Sequence, residues 1–128
     1  MPTKFMWNEL VTPDQKTSGD FFANLFGWQR YEIDLGDQGT YTVFRDEDGD
    51  NIVGMMNPVT NYSKERPSFW SSYIQVDDVD AHAAKVVELG GSVISPPEDV
   101  PNIGRVCMIS DPKGAPVCLM TPSNQKSK

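Results

Sequence analysis

SYIQVDDVDA, residues 72–81, changes its periodicity half-way through, and that change sets the reading of the whole chain. Residues 69–76 read as a strand. Asp78 then stands where a helix N-cap belongs, ahead of VDAHAAKVVEL, with Val79, Ala83, Val86, Val87 and Leu89 as its expected apolar side and Gly90-Gly91 as its stop. Sixty-four residues upstream the pattern is already present. FMWNELV at 5–11 alternates, Thr12 is placed to cap a helix with Pro13 in its first position and Gln15 three residues after the cap, and Gly27 is placed to end it. That first helix is expected to reach about residue 26 and to bury Phe21, Phe22, Leu25 and Phe26.

Strand-like runs follow both helices. In the first half they fall at 28–35, 40–45 and 51–57, divided by GDQG and DEDGD; in the second they fall near 92–94, 104–110 and 115–121. Asp46-Glu-Asp-Gly49 and Asp111-Pro-Lys-Gly114 lie 65 residues apart, so the spacing of the two halves is almost constant. The predicted fold class is α+β: two tandem βαβββ modules forming one curved mixed sheet, with helices outside and a cupped pocket inside, because either module alone leaves a sheet face bare. Module 1 covers about 5–57, a polar, proline-bearing linker 58–68, module 2 about 69–121 and a frayed tail 122–128, all in one domain.

Composition limits the partners. The formal net charge of -7 opposes phosphate backbones and anionic lipid, so neither nucleic acid nor membrane is expected. No apolar run approaches the roughly 20 residues of a spanning helix, and MPTKFMWNEL lacks the apolar core of a signal peptide, which points to a cytoplasmic protein. Two cysteines allow at most one disulfide. If the DPKG turn closes its hairpin symmetrically, Cys107 lies opposite Cys118 as a pair of small buried thiols; a three-residue loop would shift the register by one and dissolve the pair. The single histidine, His82, falls within the second helix and is expected to face solvent. Asp46, Asp48 and Asp50 imitate the start of a calcium loop, but Asn51 and Asn57 occupy the positions that need glycine and glutamate, so a hairpin turn is expected.

WNELVTPD at 7–14, FFANLFGW at 21–28, SYIQVDDVDA, LGGSV at 89–93, Gly104-Arg105 and DPKGAPVCLM at 111–120, in that order, resemble the vicinal oxygen chelate superfamily. It groups glyoxalase I, bleomycin-resistance proteins, extradiol dioxygenases and fosfomycin-resistance enzymes, and the likeness is greatest to small proteins related to lactoylglutathione lyase. The resemblance implies this βαβββ fold. It leaves function open, because metalloenzymes and metal-free binders share the scaffold. Two-fold dimers are common among such relatives, so a homodimer is expected here.

The enzymes that this chain resembles hold a divalent metal with His and Glu from four strand positions. Carried onto this sequence, those positions are Trp7, Val53, Ser71 and Cys118, none of them His, Asp or Glu. No bound metal and no other cofactor is therefore expected, with a divalent metal as the alternative. Period two gives the expected lining of the pocket: Trp7 with Glu9; Ser71 with Tyr73 and Gln75; Cys118 with Met120; Met55, or else Gly54, from the fourth strand; Tyr41 or Phe44 from the third; and Arg105 beside Cys107. Glu9 stands out as a ligand anchor, a general base or a structural acceptor for Arg105 or a backbone group. The expected function is metal-independent binding of a small organic ligand, sequestered or sensed as in the bleomycin-resistance relatives. The alternatives are a glyoxalase- or dioxygenase-type enzyme with a non-standard or absent metal site and Glu9 as candidate base, and an interaction module with a vestigial pocket.

Overall fold

The structure, a computed structural model, describes residues 2–123. Strand β1 (Lys4–Val11) leads into helix α1 (Gln15–Phe26), followed by β2 (Gln29–Asp34), β3 (Thr40–Arg45) and β4 (Asn51–Met56). A short helix α2 (Asn61–Lys64) precedes β5 (Phe69–Gln75), α3 (Val79–Glu88), β6 (Ser92–Val100), β7 (Gly104–Ser110) and β8 (Pro116–Pro122). The chain is α+β and consists of two βαβββ modules with matching strand orders, β2-β3-β4-β1 and β6-β7-β8-β5. Within each, the first strand runs parallel to the last and the other pairings are antiparallel. The predicted tail from 124 onward lies outside the described residues, while Pro122 completes β8 and Ser123 donates its backbone N–H to Ile103.

The chain divides into two compact units, 7–71 and 1–6 with 72–128. Residues 58–68, read from sequence as a linker, pack with the first. Thr60 caps α2 through a reciprocal box with Ser63, and Ser68 donates its hydroxyl to Thr12 at 2.8 Å. The division falls inside β1 and β5 instead of in the linker.

Three local expectations are corrected. Asp14, not Thr12, caps α1: its carboxylate accepts the Thr17 N–H at 3.0 Å, while the buried Thr12 hydroxyl accepts from Asp14 N at 3.2 Å. Gln15 does not reach back to a cap but spends its amide on Thr40 O, Asn57 and Thr42, each at 2.8 Å. Gly27 does end the helix, in the left-handed conformation its φ of 76° requires. Phe21, Leu25 and Phe26 are 59%, 57% and 56% exposed. At about 100° per residue, Phe21 and Leu25 sit far around the helix from buried Gly19, and only Phe22 reaches the core. Helix α3 behaves alike: Val79 and Ala83 are buried, whereas Val87 and Leu89 lie about 80° to either side and are 64% and 68% exposed.

The core of the first unit is Leu10, Phe44 and Met55 under Phe22 and Trp28. That of the second is Val76, Val79, Ala83, Cys107 and Leu119. Both lie on the helix-facing side of their sheets, which leaves the opposite faces to other chemistry. No helix among the described residues is long and apolar enough to cross a membrane.

Candidate functional site

In the first unit the register fixes which side chains share the face away from α1. Glu9 pairs with Gly54, and Gly54 with Val43, so Trp7, Glu9, Gly54, Val43 and Tyr41 lie on one face. Leu10, Met55 and Phe44 lie on the other, against α1. Two expectations change accordingly. Met55 is core packing and not pocket lining, and the third strand contributes Tyr41, with Phe44 fully buried beneath the helix. Parity decides both: adjacent residues on a strand cannot share a face.

Tyr41 links this face together. Trp7 Nε1 donates to the Tyr41 hydroxyl at 2.7 Å, and that hydroxyl donates to Glu9 Oε2 at 2.9 Å. Glu9 is only 3% exposed. Burial pushes the Tyr41 phenol far above its usual pKa, the negative charge of Glu9 adds to the shift, and the Trp7 hydrogen bond opposes it. The phenol therefore keeps its proton at physiological pH and presents it to the carboxylate. The expected acceptor role of Glu9 toward Arg105 is replaced by this tyrosine.

The second unit arranges its own face. Tyr73 pairs with Cys118 and Gln75 with Met120, while Met108 and Val106 lie across from Cys118 and Met120 on β7. Tyr73, Cys118 and Met120 are buried, and Gln75 donates to the Pro2 carbonyl at 3.1 Å. Ser71, buried on β5, belongs to the first unit. Arg105 is not on the Cys118 face. It alternates with Cys107 on the α3 side, where its guanidinium binds Asp80 at 2.7 and 3.1 Å and Asp99 at 3.2 Å. No disulfide joins the two cysteines, which point to opposite faces. Asp111 N bonds Ala115 O, so the loop holds five residues, Ser110 pairs with Pro116, and Cys118 falls opposite Met108. Burial, then Asp80, raises the Cys107 thiol pKa, which disfavours its thiolate.

A separate open depression of about 630 Å³ lies in the first unit, with Gln15, Lys16, Asp20, Arg30 and Thr42 in its wall. Three of its charges pair with one another, Asp20 with Lys16 at 2.9 Å and with Arg30 at 2.8 Å, and Glu32 also lines it.

A family profile described as the Glyoxalase/Bleomycin resistance protein/Dioxygenase superfamily matches residues 4–119. The chain belongs to this superfamily. It is 33% identical over 121 residues, 94% of its length, to the Mycobacterium tuberculosis protein named "Putative glyoxylase CFP32". It is 32% identical over 120 residues, 85% of its length, to the Streptomyces peucetius anthracycline biosynthesis protein DnrV. It spans less than half the length of these relatives, 45% and 43%. Among solved structures, methylmalonyl-CoA epimerase from Mycobacterium tuberculosis superposes with a TM-score of 0.67 over 97% of this chain and 91% of its own, at 15% identity. The epimerase from Streptomyces coelicolor in complex with 2-nitronate-propionyl-CoA gives 0.67 over 96% and 99%, at 16% identity. At those identities the likeness is one of fold.

The superfamily's metal positions can now be placed by structure. An irregularity in the β3–β4 ladder pairs Phe44 with Val53 and Arg45 with Asn51, adding one residue to β4. Gly54, not Val53, therefore occupies the place that Cys118 takes in the second module, each opposite the parallel strand at Glu9 and Tyr73. The four positions are Trp7, Gly54, Ser71 and Cys118. An indole and a glycine offer no side-chain ligand, and Glu9 already accepts from Tyr41. Among the described residues, the clustered carboxylates are Asp46, Asp48 and Asp50, in the β3–β4 turn. The residues at the four positions do not fit a resident divalent metal.

Proposed function

We propose that this chain binds a small organic molecule through the Trp7–Tyr41–Glu9 face without a divalent metal. The observation that carries the reading is the buried Glu9 carboxylate, held by a phenol and flanked by an indole on the face where the superfamily's enzymes carry metal ligands. Aromatic walls with one charged anchor suit an organic ligand that offers a cationic or hydrogen-bond-donating group. Tyr73, Gln75, Cys118 and Met120 extend the same proposal to the second unit. DnrV, a relative named for anthracycline biosynthesis, makes planar polycyclic aromatics a sensible first panel. Association into a homodimer is part of the proposal and is read by sedimentation.

The buried carboxylate also favours a second reading, with Glu9 as a proton-abstracting base. Thermal-shift screening of the wild type, Trp7→Ala and Glu9→Gln tests both. A binder raises the melting temperature of the wild type, and the rise is lost in both variants. A base gives turnover that Glu9→Gln abolishes while binding survives. Stoichiometric zinc, nickel, iron or manganese in protein purified without a histidine tag, lost on substitution of Glu9, would overturn the metal-free reading.

A further inference from the structure

Tyr41 grows from β3, yet its hydroxyl meets side chains on β1, so its ring must cross the intervening strand β4. It crosses at Gly54. A Cβ on Gly54 would collide with the Tyr41 hydroxyl oxygen and Cζ and lie 2.9 Å from Cε2, closer than carbon atoms pack. Gly54 has no positive φ to explain it, so the missing side chain is what this position uses. We propose that Gly54 is the positioning residue of the Glu9 site: by leaving room for the Tyr41 ring, it decides whether the carboxylate is presented with the phenol against it or without it. Any side chain at 54 forces Tyr41 to another rotamer, breaks both of its hydrogen bonds together and leaves Trp7 and Glu9 to rearrange. The position thereby selects what a ligand meets, a consequence that rests on the binding reading above, whereas the positioning role does not.

The test needs no ligand. Three tryptophans give three indole N–H cross-peaks in a nitrogen–proton correlation spectrum, and Trp7→Phe identifies the relevant one. Tyr41→Phe keeps the ring and removes the acceptor, so the Trp7 peak moves while those of Trp28 and Trp70 stay. Gly54→Ala is expected to move the Trp7 peak in the same direction and by a similar amount. A folded Gly54→Ala protein whose Trp7 peak coincides with the wild type overturns the proposal. Should Gly54→Ala fail to fold, Gly54→Ala combined with Tyr41→Leu removes the collision and must restore a cooperative melt; failure of the pair as well overturns it equally. If a ligand emerges from the screen, Gly54→Ala is expected to change its Kd at least about tenfold, about 1.4 kcal/mol. If none emerges, the binding reading falls and the indole result still decides the role of Gly54.

Discussion

The two modules share a backbone plan and differ in what they hang on it. In each, a parallel pair lies on the sheet face away from the helix, Glu9 beside Gly54 in the first and Tyr73 beside Cys118 in the second. The residue across the hairpin from this pair is Val43 in one and Met108 in the other, so Tyr41 corresponds to Val106. An acid, a glycine and a tyrosine in one module thus stand against a tyrosine, a cysteine and a valine in the other. The first combination makes a carboxylate–phenol–indole cluster, and the second carries no carboxylate. The repeated strand order supplies the scaffold, and different residues at three matched positions supply the asymmetry.

The largest effect expected from probing this comparison lies in the cores. Phe44 and Ile109 occupy matched positions, but Phe44 is fully buried and Ile109 only partly so. Phe44→Ala should lose about 3–5 kcal/mol in denaturant unfolding. Ile109→Ala should lose clearly less; equal losses would mean that the modules share an energetic core as well as a topology.

A smaller, pH-dependent effect belongs to the Tyr41 phenol. The Tyr41 phenol has its pKa raised in the folded state, so its contribution to stability is complete below the unfolded-state value near 10 and declines as pH rises beyond it. The wild type should lose about 1.4 kcal/mol per pH unit more than Tyr41→Phe above about pH 10. Val106, the residue matched to Tyr41, has no ionisable group, so Val106→Phe should leave the alkaline slope of the wild type unchanged. Parallel slopes for the wild type and Tyr41→Phe would place the tyrosine in contact with solvent.

Much of this was legible in the sequence because it depends on local signals. The Asp78 cap, the Gly27 stop and the two aspartate turns each announce themselves within a few residues. The parity of Trp7 with Glu9, and of Cys118 with Met120, needs only a strand. What failed needed facts the chain does not carry locally. Met55 and Gly54 are neighbours, and only the extra residue in β4 decides which of them faces Glu9. The Cys107–Cys118 pair turned on whether the hairpin loop holds four residues or five. Arg105 is near both cysteines in the sequence reading, yet strand alternation and two aspartates hold it with Cys107 on the α3 side, opposite the Cys118 face. The glycine opposite Glu9 was the available clue to Tyr41, since a strand interior gives up a side chain where something else must lie close.

The smallest effect concerns the turns, where the modules should behave alike. Asp46 Oδ1 accepts the N–H groups of Asp48 and Asp50, both at 3.0 Å, and Asp111 Oδ1 accepts those of Lys113 and Ala115 at 2.8 and 3.0 Å. The offsets of two and four residues are identical, and each turn ends its bend at a glycine with positive φ, 82° at Gly49 and 90° at Gly114. Removing either carboxylate releases two backbone donors to water instead of burying them, so Asp46→Ala and Asp111→Ala should each cost only about 1 kcal/mol. Comparable losses in the two variants would show that the turn is a repeated structural device. A loss confined to Asp46→Ala, with a dose-dependent rise of the wild type's melting temperature on adding calcium that Asp46→Ala does not show, would instead make the acidic turn of the first module a cation site and break the symmetry of the two turns.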